Sequence, residues 1–278
     1  MKNTLTLFAL LFAASSFAQH YYNDILDAQA MAGKMKQYMD NKVKSVTATG
    51  YDARGIKTTD FNEWQEIYPE TRTLKIITRR GQEVNRQYYR FDDQFRLIQI
   101  IDSSGDISSN THYHYGSSGR LDSIITMTHD TLQVFDEKEK HHYLYDNRGL
   151  PTRLWRIMNG KDSSEYRFAL EDNRNVTEEN LYRREVGLDP VYYYYDEKNR
   201  LTDIVRYNRN LKKLIPSHMF EFDESGRMIQ KMTTLSINNP DYLLWRYVYN
   251  EKSLKTKEAL FNRQKQLTGR IDYAYTFY

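Results

Sequence analysis

The sequence predicts an all-β fold: an antiparallel β-hairpin repeat meander that forms a large curved or partly closed sheet, with one N-terminal α-helix. Three observations predict it. The chain holds 24 tyrosines in 278 residues, and aromatic side chains suit the pleated surface of a strand. A pattern of aromatic, any residue, aromatic, Asp-like, two residues, Gly-like, Arg-like, apolar recurs about every 26 residues. Polar stretches at 103–110, 158–165 and 236–241 fall between the copies, so the chain turns at both edges of the sheet.

The elements follow in order. Residues 1–18 read as a signal peptide. Lys2 gives the positive start, residues 5–14 the short apolar run, and Ser16-Phe17-Ala18 a cleavage site that leaves Gln19 first in the mature chain. That run is too short to span a bilayer, and no later segment is apolar enough to cross as a helix. With no cysteine at the cleavage point, a lipid anchor is excluded. The expected location is the periplasm, the cell surface or the exterior. Removing eighteen of 278 residues leaves 260, enough for one large domain or a repeat array. Zero cysteines mean that stability rests on packing and sheet hydrogen bonds.

Residues 19–42 are expected to hold the helix. Ile25, Ala28, Ala32, Met35 and Met39 step by three and four residues and make one apolar stripe. Asn23 or Asp24 is placed to cap it, and the helix is expected to pack on the sheet or cover its first edge strand. Residues 43–278 form the hairpin domain, whose last six residues, 273–278, read as a closing strand.

Within the repeat, the second aromatic falls at Phe91, Tyr115, Tyr145, Tyr195, Phe222 and Tyr249, with Leu170 in the same role and Tyr51-Asp52 as a degenerate earlier copy. Asp followed three residues later by Gly suits a type I turn closed by a left-handed residue. Gly119, Gly149 and Gly226 supply that residue and Asn199 tolerates the conformation, whereas Phe95, Arg174 and Ser253 fit it poorly. The register then sets Tyr195 opposite Leu201 and Phe222 opposite Met228. Asp196 and Arg200, like Asp223 and Arg227, pair at the turn for about 0.2–1 kcal/mol. Strict alternation separates two faces. One carries Tyr89, Phe91, Tyr113, Tyr115, Tyr143, Tyr145, Tyr193, Tyr195, Phe220, Phe222, Tyr247 and Tyr249 and is the packed face. The other carries Tyr88, Tyr192 and Tyr194, with Ile100, Ile124 and Ile204.

The copies Tyr195-Asp196-Glu197-Lys198-Asn199-Arg200-Leu201, Phe222-Asp223-Glu224-Ser225-Gly226-Arg227-Met228 and Tyr115-Gly116-Ser117-Ser118-Gly119-Arg120-Leu121 resemble the YD repeats of the Rhs/teneurin-type family, whose consensus is similar to YDxxGRL. The resemblance covers about residues 85–255. It implies spiral or shell-like β-hairpin sheets in exported, sometimes sugar-binding proteins. The repeats here are too few for a full shell, no distinct effector domain follows them, and no catalytic residues carry over. The exported, Cys-free start is similar to that of Bacteroidota secreted proteins.

Charge and motifs narrow the function. The 40 basic and 37 acidic residues are interspersed for a net +3, without the basic block that nucleic-acid binding needs. Nucleophile-elbow, zinc-protease, P-loop and dinucleotide motifs are absent, so no enzyme and no cofactor are expected. His112 and His114 share one face of a strand, but an intervening strand sets them about 9–10 Å from His141 and His142. No metal is expected and all four are read as solvated strand residues, with a zinc or copper site on His112, His114 and a neighbour as the alternative. Tyr88, Tyr192, Tyr194, Trp155 and Trp245 are the candidate ligand-binding aromatics, able to stack on sugars or anchor a protein. The expected function is a non-catalytic binding or scaffold protein of the cell envelope, its partner a glycan or envelope protein. The alternatives are a polysaccharide hydrolase with two carboxylates about 5–9.5 Å apart on a concave sheet, and a carrier of an apolar ligand.

Overall fold

The computed structural model describes residues 20–130, 135–171, 175–208, 211–236 and 239–278; residues 1–18, expected to be a signal peptide, and Arg174 lie outside them. One helix, α1 (Tyr22–Asp40), precedes eighteen strands: β1 (Val43–Asp52), β2 (Lys57–Tyr68), β3 (Thr73–Arg80), β4 (Glu83–Phe91), β5 (Leu97–Ser104), β6 (Ile107–Tyr115), β7 (Leu121–Asp130), β8 (Asp136–Tyr145), β9 (Pro151–Met158), β10 (Asp162–Leu170), β11 (Val176–Arg183), β12 (Val186–Tyr195), β13 (Leu201–Asn208), β14 (Lys213–Phe222), β15 (Met228–Ser236), β16 (Asn239–Tyr249), β17 (Lys255–Phe261) and β18 (Leu267–Phe277). Every strand pairs antiparallel with the next in sequence, and β18 returns to pair with β1 from Val43↔Phe277 to Asp52↔Gly269. The sheet is therefore a closed barrel rather than the partly closed one expected, and no edge strand remains to be covered.

The helix lies inside this ring. At its start Tyr21, Tyr22 and Asp24 meet β8, β10, β11 and β12 through His141, Tyr143, Tyr166, Glu179 and Tyr193. At its end Gln37 donates to the Ser253 carbonyl, and Tyr38 meets Gln65 on β2 and Tyr275 on β18. The two sets of strands stand on opposite sides of the eighteen-strand ring, so α1 crosses the bore from wall to wall. The apolar stripe is real: Ala28 and Met35 are buried against Leu74, Phe91, Leu97 and Leu254. The second cluster joins Tyr21 to Tyr143, Leu154, Phe168, Val191, Tyr193 and Ile204.

The repeat motif builds the turns on the rim next to α1. Where the motif keeps both Asp and Arg, the carboxylate accepts from backbone N–H groups and from the Arg side chain: Asp196 from Lys198, Arg200 N and Arg200 Nε, Asp92 from Gln94, Arg96 N and Arg96 Nε; at the Tyr249 turn the Asn250 amide oxygen accepts from Lys252 and Leu254 N instead. The turn is left-handed at Gly119, Gly149, Gly226 and Asn199, and equally at Phe95 (φ 60°) and Ser253 (φ 58°). The side-chain frame, the Asp92 carboxylate at the first and the Asn250 amide at the second, therefore holds even side chains that disfavour the conformation. Tyr51-Asp52 closes the same turn with Gly55, but on the opposite rim.

Neighbouring hairpins are also locked together. The tyrosine hydroxyl of one repeat donates to the carbonyl that follows the previous turn: Tyr115 to Leu97, Tyr145 to Leu121, Tyr195 to Val176 and Tyr249 to Met228, at 2.6–2.9 Å. The arginine reaches the other way, with Arg96 over Tyr115, Arg200 over Phe222 and Arg227 over Tyr249.

Each turn is followed by a β-bulge that the alternation does not reveal. Tyr195 pairs with Leu201, yet Tyr194 pairs with Asp203, leaving Thr202 as the extra residue. Its hydroxyl donates to the Tyr194 carbonyl, as Thr152 and Thr256 do to Leu144 and Val248. The phase flips after the bulge. Ile100, Ile124 and Ile204 accordingly stand opposite Tyr89, Tyr113 and Tyr193 on the inner face, not with Tyr88, Tyr192 and Tyr194. The outer face carries exposed charges such as Arg79, Arg86, Arg90 and Lys138 among scattered apolar residues. Among the described residues no helix is long and apolar enough to cross a membrane.

Candidate functional site

The first half of the bore is a closed set of polar pairs. Glu179, fully buried on β11, accepts from the Tyr21 and Tyr22 backbone N–H groups and the Tyr193 hydroxyl at 2.8–3.0 Å. A wall carboxylate thus caps the helix in place of Asn23 or Asp24, and it lies at the positive end of the helix dipole. Burial raises its pKa, against those three hydrogen bonds. Asp24 instead accepts from His141 Nδ1 (2.6 Å) and the Tyr143 hydroxyl (2.8 Å). The other ring nitrogen of His141 meets Glu139 at 2.8 Å, which also takes Arg156 Nε. Burial opposes protonation of His141, but the hydrogen bonds to Asp24 and Glu139 outweigh it and raise its pKa to about 9. Burial likewise opposes ionisation of Glu139, and its bonds from His141 and Arg156 outweigh that and hold it near 2. His141 is therefore an inward, buried cation and not a solvated strand residue.

The second half of the bore contains a cavity of about 510 Å³, within the range of small-molecule sites. Its wall carries the cations Lys34, Arg80 and Lys255, the carboxylates Glu63 and Glu258, and the five tyrosines Tyr38, Tyr247, Tyr249, Tyr273 and Tyr275. Most of these groups are tied to one another. Lys255 Nζ meets Glu258 at 2.5 Å and sits over the Tyr273 ring, whose hydroxyl donates to Glu258 at 3.0 Å. Glu63 accepts from Gln65 Nε2 (2.7 Å) and Thr78 (3.2 Å), and Gln65 accepts from Tyr38. Two groups differ. Among the described residues neither the Lys34 ammonium nor the Tyr247 hydroxyl has a hydrogen-bonding partner; Lys34 Nζ only lies 5.5 Å over the Tyr38 ring. Burial lowers the Lys34 pKa, against the fields of Glu63 and Glu258. Burial likewise lowers the pKa of Lys231, against the fields of Asp27 on the helix and of Glu258.

The sequence-derived candidates do not converge. Tyr88 on β4, Trp155 on β9 and Tyr192 and Tyr194 on β12 face outward on separate parts of the ring, and Tyr194 is exposed. Trp245 points inward and is buried with Leu243 and Leu260, because it shares the phase of Tyr247 and Tyr249. His112 and His114 stack on each other outside, with 6.4 Å between ring centroids. Among the described residues no group of three or more His, Asp or Glu is arranged to hold a metal. Sequence reading missed Lys34, Glu63 and Glu179 and set His141 in solvent. The available signal was their phase: Lys34 sits one turn from Tyr38, and Glu63, Glu179 and His141 alternate with Gln65, Leu181 and Tyr143.

No protein-family model and no curated protein matches the chain. Among solved structures it is similar to a porin-like protein from Bacteroides uniformis, at 9% identity and a TM-score of 0.44, covering 84% of this chain and 98% of that one. It is also similar to the TcdB2-TccC3-Cdc42 complex at 13% identity and TM-score 0.35, and to the Photorhabdus luminescens Tc holotoxin pore at 11% and 0.31. These matches take in 77% and 82% of this chain, which spans only 11% and 15% of those chains.

Proposed function

We propose that the chain is an exported, non-catalytic binding protein of the cell envelope that holds a small polar ligand, a glycan fragment, in the bore of its barrel. We infer also that it is a short, closed relative of the YD-repeat proteins, since turns such as those at Asp196 and Asp223 use the motif's aromatic, Asp and Arg positions together. The observation that carries the binding reading is the cavity. It is walled by tyrosines and charged groups, and it leaves a half-buried ammonium and a hydroxyl unused. Buried polar groups are otherwise nearly always paired. The outer aromatics are dispersed and share no groove, which favours the bore over the outer face. The export reading rests on the N-terminal sequence.

The test is a thermal-shift screen of the leaderless chain against neutral and acidic mono- and disaccharides and envelope glycan fragments. At least one is expected to stabilise the protein, and Gln37→Trp, which intrudes on the cavity, is expected to abolish that effect. A hit indifferent to Gln37→Trp would move the site elsewhere, and turnover of a glycan would overturn the non-catalytic reading.

A further inference from the structure

We propose that the cavity takes an acidic saccharide carrying one carboxylate, seated between the Lys34 ammonium and the Tyr247 hydroxyl. The proposal rests on the reading that the bore binds a small polar ligand, and adds that ligand's charge and its two anchor points.

Three observations lead to it. The first is the charge of the wall: Lys34, Arg80 and Lys255 face Glu63 and Glu258, one cation in excess. The second is which cation is in excess. Glu258 already holds Lys255 and the Tyr273 hydroxyl, and Glu63 already holds Gln65 and Thr78. Lys34 is left with an aromatic ring and no acceptor. An ammonium partly withdrawn from water without an acceptor is costly, and burial works against its charged form. A ligand carboxylate would supply the acceptor in a charge-assisted hydrogen bond. The third is the Tyr247 hydroxyl, a second donor without a protein partner in the same wall, on a ring that Lys255 approaches at 5.2 Å. Two free donors in one wall describe a receptor for an anion, whereas an apolar ligand would leave both unmet.

The remaining wall fits the body of a sugar. Tyr38, Tyr249, Tyr273 and Tyr275 have their hydroxyls tied to Gln65, Met228, Glu258 and Lys255, which fixes their rings as walls. Fixed aromatic rings interspersed with amides and carboxylates suit a hydroxyl-rich ring better than a flat apolar one.

Calorimetric titration of the leaderless chain with matched pairs decides the matter: glucuronate against glucose and galacturonate against galactose, each also as a disaccharide. At least one acid should bind tenfold or more tightly than its neutral partner, and raising the salt should weaken it. Lys34→Met should lower the affinity for the acid at least tenfold and leave any weak binding of the neutral sugar unchanged. Tyr247→Phe should lower it several-fold, and it carries the test alone if Lys34→Met fails to fold. Neutral sugars binding as well as the acids, or acid binding indifferent to both substitutions, would overturn the anionic assignment and leave the luminal reading standing. No binding by any member of either series would sink both.

Discussion

The two ends of α1 meet the barrel with similar residues and opposite results. Where the helix begins, a glutamate, an aspartate, a histidine, an arginine and several tyrosines satisfy one another almost completely around Tyr21 and Asp24. Where it ends, glutamates, lysines and tyrosines again line the bore, but a cavity separates them and Lys34 and Tyr247 are left over. Complete pairing of buried polar groups fixes a structure, and each member is costly to remove. Incomplete pairing does little for the fold and leaves groups ready for something else. The first half anchors the helix; the second half holds the space proposed for a ligand.

The comparison breaks first at Glu179. Glu179→Ala leaves three buried donors without an acceptor and is expected to lower stability by about 3 kcal/mol or more, measured by urea unfolding. A loss below about 1 kcal/mol would mean that the helix is not anchored there.

Next comes pH. The folded pKa of His141, near 9, lies above the ordinary 6.5. Its contribution is therefore complete below about pH 6.5 and disappears as the pH rises through 9; the shift corresponds to about 3 kcal/mol. His141→Gln should thus cost most near pH 6 and almost nothing at pH 10. Melting curves of the two proteins across that range should converge, and parallel curves would refute the assignment. His20 and His218 act in the opposite sense. Burial holds them neutral, with pKa values of about 3 and 4, so both withdraw stability as the pH falls below 6.5.

A smaller effect is expected at Ser253, whose left-handed backbone sits at the turn that holds Gln37. Ser253→Gly should stabilise by about 1 kcal/mol in thermal unfolding. The smallest is the sharpest for the comparison: Lys34→Met should leave stability within about 0.5 kcal/mol or raise it. A large loss there would make the second half a structural network like the first.

Much of this architecture is legible in the sequence, because the motif is local. Tyr195 does face Leu201, Asp196 does hold Arg200, and residues 273–278 do lie in or just past the strand that closes the ring. What is not legible has two physical causes. A bulge such as that at Thr202 adds one residue and reverses the phase of everything after it, so Ile204 is assigned to the wrong face by simple alternation. Ring closure and the seat of α1 depend on contacts such as Tyr21 with Glu179, 158 residues apart, which no local pattern encodes. The candidate site was hidden for the same reason. Lys34, Glu63 and Glu258 come together only because the helix enters a closed bore, and charged residues at strand and helix positions look solvated until it does.

The crossing helix also sets a dimension. Nineteen residues at 1.5 Å each make a rod of about 28 Å. Eighteen strands about 4.8 Å apart, tilted by about 40°, give a backbone diameter near 36 Å, which inward side chains on both walls narrow by roughly 5 Å each to about 26 Å. Rod and ring match, so α1 acts as a gauge for the number of hairpins. One more hairpin would widen the ring by about 4 Å, and a helix of unchanged length would no longer reach Glu179 and Gln65 together. Barrels of other sizes built from this motif would need a crossing helix lengthened or shortened in proportion, by about one residue for every strand gained or lost.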